Sequence, residues 1–93
     1  MLNHGSLSQS QLRELIALLA IPSVSADPAH GDDVRAAADW IVELVRAAGG
    51  TAELAGSRER PFVDALIPAS HDPAKAPTVI CYGHFDVQPP APL

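Results

Sequence analysis

The stretch Asp32-Asp33-Val34-Arg35-Ala36-Ala37-Ala38-Asp39-Trp40-Ile41-Val42-Glu43-Leu44-Val45-Arg46-Ala47-Ala48-Gly49-Gly50-Thr51-Ala52-Glu53-Leu54-Ala55 contains the change of period that decides the fold class. Up to Ala48 the apolar residues Val34, Ala37, Ala38, Ile41, Leu44, Val45 and Ala48 recur on one helical stripe. Asp32 and Asp33 sit where a helix N-terminus favours negative charge, and Asp39 belongs to the solvated face. Gly49 or Gly50 can take the left-handed position that ends the last turn. Trp40, at the stripe's edge, reads as a core residue rather than a ligand platform. Beyond Gly50 the helical period is lost, and residues 51–55 and 62–67 read as short strands joined by the charged turn 56–60. Pro61 stands at a strand start, where a missing N–H is tolerated.

Upstream, Ser8 and Gln11 have capping-box spacing, and Leu12, Leu15, Ile16 and Leu19 follow at i, i+3, i+4 and i+7. This first helix is expected to end near Ile21, because Pro22 disfavours the helical conformation in the residue before it. A loop rich in Ser, Ala, Asp and Pro covers residues 22–31; within it Ser23 and Ser25 read as turn and capping residues, with no histidine placed to activate them as nucleophiles. Downstream, a turn-rich connection over 68–77 leads to Thr78-Val79-Ile80-Cys81-Tyr82, a continuous apolar run expected of a central strand covered on both faces. The fold class is therefore α/β, two N-terminal helices packed on a small mixed sheet.

At 93 residues the chain fits one small domain, and folding such a length buries roughly 60–70% of the surface the unfolded chain exposes. An apolar fraction of 47% against 18% charged residues places it among globular rather than disordered sequences. Six basic and eleven acidic residues give a net charge of −5 with no basic stripe, which argues against nucleic-acid or anionic-membrane partners. Residues 1–11 are polar and no apolar run approaches the ~20 residues that span a bilayer. The single cysteine, Cys81, excludes an internal disulfide framework, fits a reducing compartment and leads us to expect a cytoplasmic protein. It is expected to be buried in its strand as a small hydrophobe.

The segment Tyr82-Gly83-His84-Phe85-Asp86-Val87-Gln88-Pro89-Pro90 follows the carboxyl end of the expected buried strand, the end at which open α/β sheets bind ligands. If the backbone stays extended, His84 and Asp86 point to the same side, and Gly83 would allow close approach of backbone or metal. A neutral imidazole is a good ligand for Zn²⁺ or Mn²⁺, and a carboxylate accepting its other ring N–H fixes the tautomer. By spacing alone the signal is weak, since a His-x-Asp at a strand end is more often a loop histidine beside a solvated or turn-capping aspartate. His4, His30 and His71 lie in polar loops without metal-site spacing, so these residues alone do not complete a catalytic metal centre.

That nine-residue segment, arriving after an apolar run and two helices, resembles the first metal-site motif of the M20 metallopeptidases. The Ile21-Pro22-Ser23-Val24-Ser25 turn and the Ala47-Ala48-Gly49-Gly50 helix end are also similar to that family, so the resemblance covers the chain from about Leu12 onward. Val87-Gln88-Pro89 looks more like the dipeptidase, carnosinase-like branch than the deacylase branch. The resemblance implies that residues 1–93 are the N-terminal part of a larger zinc-peptidase-like α/β catalytic domain, with His84 ligating one metal and Asp86 as the catalytic acidic residue that orients it. It further implies two Zn²⁺ or Mn²⁺ ions per complete site, a dipeptide or short-peptide substrate, and a full-length parent able to form a homodimer. The general base and remaining ligands would lie beyond residue 93, consistent with residues 89–93 reading as an interrupted loop, and the 93 residues alone would be inactive. Two alternatives stay open: an N-acyl-amino-acid deacylase of the same family, and a non-catalytic fragment that self-associates or docks on another chain.

Overall fold

The computed structural model describes residues 5–91; His4 and the last two residues of the proline-rich tail lie outside them. Its elements are α1 (Gln9–Leu19), a short 3₁₀ turn (Pro28–His30), α2 (Gly31–Ala47), β1 (Thr51–Gly56) and β2 (Pro61–Leu66). The class is the expected one, two helices with a small sheet. In the described residues that sheet is a two-stranded antiparallel hairpin, and the one parallel contact is an isolated bridge between Val24 and Val87.

The helix ends follow from local chemistry. The capping box of α1 is complete: the Gln11 amide donates to Ser8 Oγ at 3.1 Å, and the Ser8 amide donates to Gln11 Oε1 at 2.9 Å. At the other end of the helical pair, α2 stops through two glycines that do different jobs. Gly49 takes the left-handed conformation (φ 93°) and donates to the Arg46 carbonyl, while the Gly50 amide reaches back to the Val45 carbonyl at 3.0 Å. This is the bond pattern of a Schellman cap. Gly50 is also a point of close approach, since a Cβ there would lie 2.7 Å from the Leu66 carbonyl oxygen. The chain thus turns directly from α2 into β1.

The hairpin pairs Thr51 with Leu66 and closes at Gly56 opposite Pro61, with Ser57 Oγ accepting from the Arg60 amide inside the turn at 3.0 Å. Helix α2 lies across it. Ala37 and Ala38 are completely buried, and Val34, Val42 and Ala52 join them in the core. The buried face is rotated from the one the periodicity picked out: Val42 is buried, whereas Leu44 faces solvent. Helix α2 contacts both strands, and the two alanines are its most deeply buried residues. In the last turn of α2, the Arg46 guanidinium donates twice to the Ala52 carbonyl (2.9 and 3.2 Å), tying helix end to strand start.

Two expectations are corrected. Residues 78–82 do not form a strand: none of their backbone groups is hydrogen-bonded among the described residues, and Val79, Ile80 and Tyr82 are 80%, 89% and 93% exposed. Cys81 is likewise exposed rather than buried. An apolar, β-branched run becomes a strand only when a neighbouring edge accepts its N–H and C=O groups, and among the described residues no such neighbour stands beside it. The stripe of α1 is similarly open, with Leu12, Leu15, Ile16 and Leu19 between 42% and 68% exposed.

Because the core is centred on two fully buried alanines, Ala38→Leu is expected to destabilise the chain by about 1–3 kcal/mol through overpacking. Leu19→Ala, on the open stripe, should change stability by less than about 0.5 kcal/mol. Urea unfolding followed by circular dichroism measures both.

Candidate functional site

After α1 the chain makes a tight turn, with the Ser23 amide donating to the Ile21 carbonyl and the Val24 amide to the Pro22 carbonyl, both at 2.8 Å. This turn is then joined to a segment more than sixty residues away. The Val87 amide donates to the Ser23 carbonyl at 3.0 Å, Val24 bridges Val87, and Ser23 Oγ donates to the Phe85 carbonyl at 2.8 Å. Ser23 is only 2% exposed and Val24 is also buried. A buried hydroxyl needs a partner, and the Phe85 carbonyl supplies it. No buried polar side-chain atom among the described residues is left without one.

The consequence for residues 84–86 is a fixed geometry. Asp86 accepts from Ser25 Oγ at 2.5 Å through Oδ2, and its other oxygen, Oδ1, lies 2.9 Å from His84 Nδ1. His84 and Asp86 therefore share a side. An ionised carboxylate only accepts, so Nδ1 carries the proton in the neutral ring and the lone pair is at Nε2. His84 is 74% exposed at its side chain, leaving that face open. The Ser25 hydroxyl first, and His84 second, hold the Asp86 carboxyl below the ordinary carboxylate range, with slight burial opposing them.

The pair borders a cleft of about 630 Å³, whose walls include Ser25, Val34, Arg60, Phe62, Tyr82 and Phe85. Its size and mixed lining are those of a small-ligand pocket. A smaller hollow of about 300 Å³ beside Arg46 and β1–β2 contains no histidine. Gly83 is not needed for close approach here, since a Cβ at that position would meet nothing within 4 Å. His30 is held by Asp33 instead, Nδ1 to Oδ2 at 2.8 Å, and Asp27 caps the 3₁₀ turn through the Ala29 amide. Asp32 reaches only Arg58, at 4.0 Å.

As a metal site, the arrangement fits the part of one prepared imidazole donor with its orienting carboxylate. It does not close a shell, because no group of three or more His, Cys, Asp or Glu side chains among the described residues could hold an ion. Ser23 and Ser25 are the site residues that local reading misses: both are more than turn residues, and their partners lie 62 and 61 positions away. Spacing within the turn contains no trace of that contact.

No family model, curated protein or solved structure matches this chain. Among the described residues no helix is long and apolar enough to cross a membrane.

Two outcomes follow from this geometry. A carboxyl whose folded pKa is depressed stabilises the fold above its ordinary titration range and loses that contribution as pH falls through the folded value. Carboxyl-carbon NMR should therefore place the Asp86 midpoint below the ordinary value of about 3.9, and Ser25→Ala should move it back up. Separately, Ser23→Ala should cost about 1 kcal/mol of stability in denaturant unfolding, the net worth of one hydrogen bond.

Proposed function

We propose that this chain belongs to a metal-dependent hydrolase of the M20 metallopeptidase type, dipeptidase branch, and supplies the first ligand segment of its metal centre. The observation that supports the reading is the His84–Asp86 pair: one ring nitrogen is bonded to the carboxylate at 2.9 Å, and the opposite nitrogen is free to donate its lone pair. This is the arrangement by which a carboxylate prepares a histidine ligand. The substrate on this reading is a dipeptide or short peptide, and the protein works in the cytoplasm, where the exposed Cys81 thiol stays reduced.

When bound, zinc or manganese would lower the pKa of a coordinated water and polarise the scissile carbonyl. The residues of this chain do the preparatory work. Asp86 keeps the proton on Nδ1 and restricts rotation of the His84 ring, and the turn at residues 23–25 holds Asp86 where it can do so. The mixed cleft beside them is of a size to take a small substrate against Phe62, Tyr82 and Phe85. On this reading the general base, the bridging carboxylate and the other ligands lie on chain beyond residue 93, since among the described residues no group of three or more His, Cys, Asp or Glu side chains could hold an ion. On this reading the 93 residues alone would be inactive.

A second reading rests on a different observation, the open apolar run at residues 78–82. Unpaired β-prone segments are templates for pairing with another chain, so a non-catalytic associating module is the competing class. Light scattering separates the two classes: a monomer at all concentrations counts against association.

The proposal is tested by zinc titration of the chain labelled with ¹⁵N-histidine. Weak binding that shifts Nε2 of His84, and is lost in His84→Ala, is expected from a single prepared donor. Tight stoichiometric uptake, or shifts confined to His30 or His71, would contradict it. Should zinc bind at His84, the reading frame downstream of Leu93 should encode carboxylate-rich ligand segments; dipeptide against N-acyl-amino-acid hydrolysis by that product then distinguishes peptidase from deacylase.

A further inference from the structure

We infer that Ser25 is a positioning residue for His84, acting through Asp86: its hydroxyl holds the carboxylate in one orientation, with an oxygen kept against Nδ1–H, and so favours the tautomer that leaves Nε2 as the donor. For its purpose this rests on the metal-ligand reading of His84, but the contact chain itself is independent of any metal.

A carboxylate beside a histidine can rotate about its own Cβ–Cγ bond, so both oxygens compete for the imidazole N–H and the ring is only loosely directed. Ser25 removes that freedom. Its Oγ donates to Oδ2 at 2.5 Å, leaving Oδ1 for His84 Nδ1 at 2.9 Å. Each carboxylate oxygen then has one assigned partner. A hydroxyl is suited to this place because it donates to the anion without adding charge, so it fixes orientation while leaving Asp86 negative toward the ring.

Ser25 is itself held in place. It follows two buried residues, Ser23 and Val24, both joined to residues 85–87 by the Phe85 carbonyl bond, the Val87 amide bond and the Val24–Val87 bridge. Ser23 attaches the turn to the backbone on either side of Asp86, and Ser25 attaches it to the Asp86 side chain. The two serines therefore have separable roles, one in stability and one in orientation. Arg60 and Glu59 also border the cleft, but neither is bonded to the Ser25–Asp86–His84 chain.

The test is long-range ¹⁵N–¹H correlation NMR of the histidine rings at a pH where His84 is neutral, on wild type, Ser25→Ala, Ser25→Thr and Asp86→Ala. The wild-type His84 ring should show one dominant form protonated on Nδ1. Ser25→Ala should reduce the tautomer ratio by about 2- to 10-fold, the range one hydrogen bond sets, with α2 helicity unchanged by circular dichroism. Ser25→Thr, which keeps the hydroxyl, should restore it, and Asp86→Ala should abolish the preference. An unchanged ratio in Ser25→Ala would overturn the inference, as would a Ser25→Thr variant that behaves like alanine. A zinc titration on the same samples separates the two ideas: absence of zinc at Nε2 with the tautomer series intact removes the metal reading and leaves the positioning role of Ser25 standing.

Discussion

The hydrogen bond from the buried Ser23 hydroxyl to the Phe85 carbonyl, together with the Val87 amide bond to Ser23, fixes the relation between the two ends of this chain. Helix α2 and the hairpin supply the buried residues Ala37, Ala38, Val42 and Ala52, and the turn adds Ser23 and Val24. Residues 84–87 would not be placed. They are preceded by a proline-containing connection and an exposed run with no ladder partner, so nothing upstream of them defines where they sit. Closing so long a loop has an entropic cost that grows only slowly with its length, which is why a few well-made contacts can offset it.

From that attachment the chemistry follows in order. The turn carries Ser25 to the Asp86 carboxylate, the carboxylate accepts a hydrogen bond from His84 Nδ1–H, and the outer nitrogen is left unprotonated in an open setting beside a cleft. Every step is a donor meeting an acceptor at 2.5–3.0 Å, and none requires a charge to be buried. The orientation of this exposed imidazole comes from hydrogen bonds to a buried turn rather than from packing of the histidine itself.

Much of the fold was legible in the residues. The Ser8–Gln11 box, the α2 stripe, the glycine pair after it and the strand at Pro61 are all local codes, each settled by neighbours within a few positions. Local codes fail where the outcome depends on distant partners. The 78–82 run has the composition of a buried strand, yet burial and pairing are properties of what lies alongside it, and among the described residues nothing does. Val42 rather than Leu44 is buried, a choice that depends on what packs against α2 and that the period alone does not make. His84 and Asp86 could be expected to share a side from a period of two; the bonds of Ser23 to Phe85 and of Ser25 to Asp86 could not, as they span 62 and 61 positions.

The most direct measurement is amide hydrogen exchange at Val87. If the turn after α1 holds the His84–Asp86 segment, the Val87 amide, bonded to the Ser23 carbonyl at 3.0 Å, is protected while the amides of residues 78–82 exchange at the rate of free chain. A Val87 amide that exchanges as fast as those five would show the two segments to be unattached, and the ordered donor at His84 would go with them.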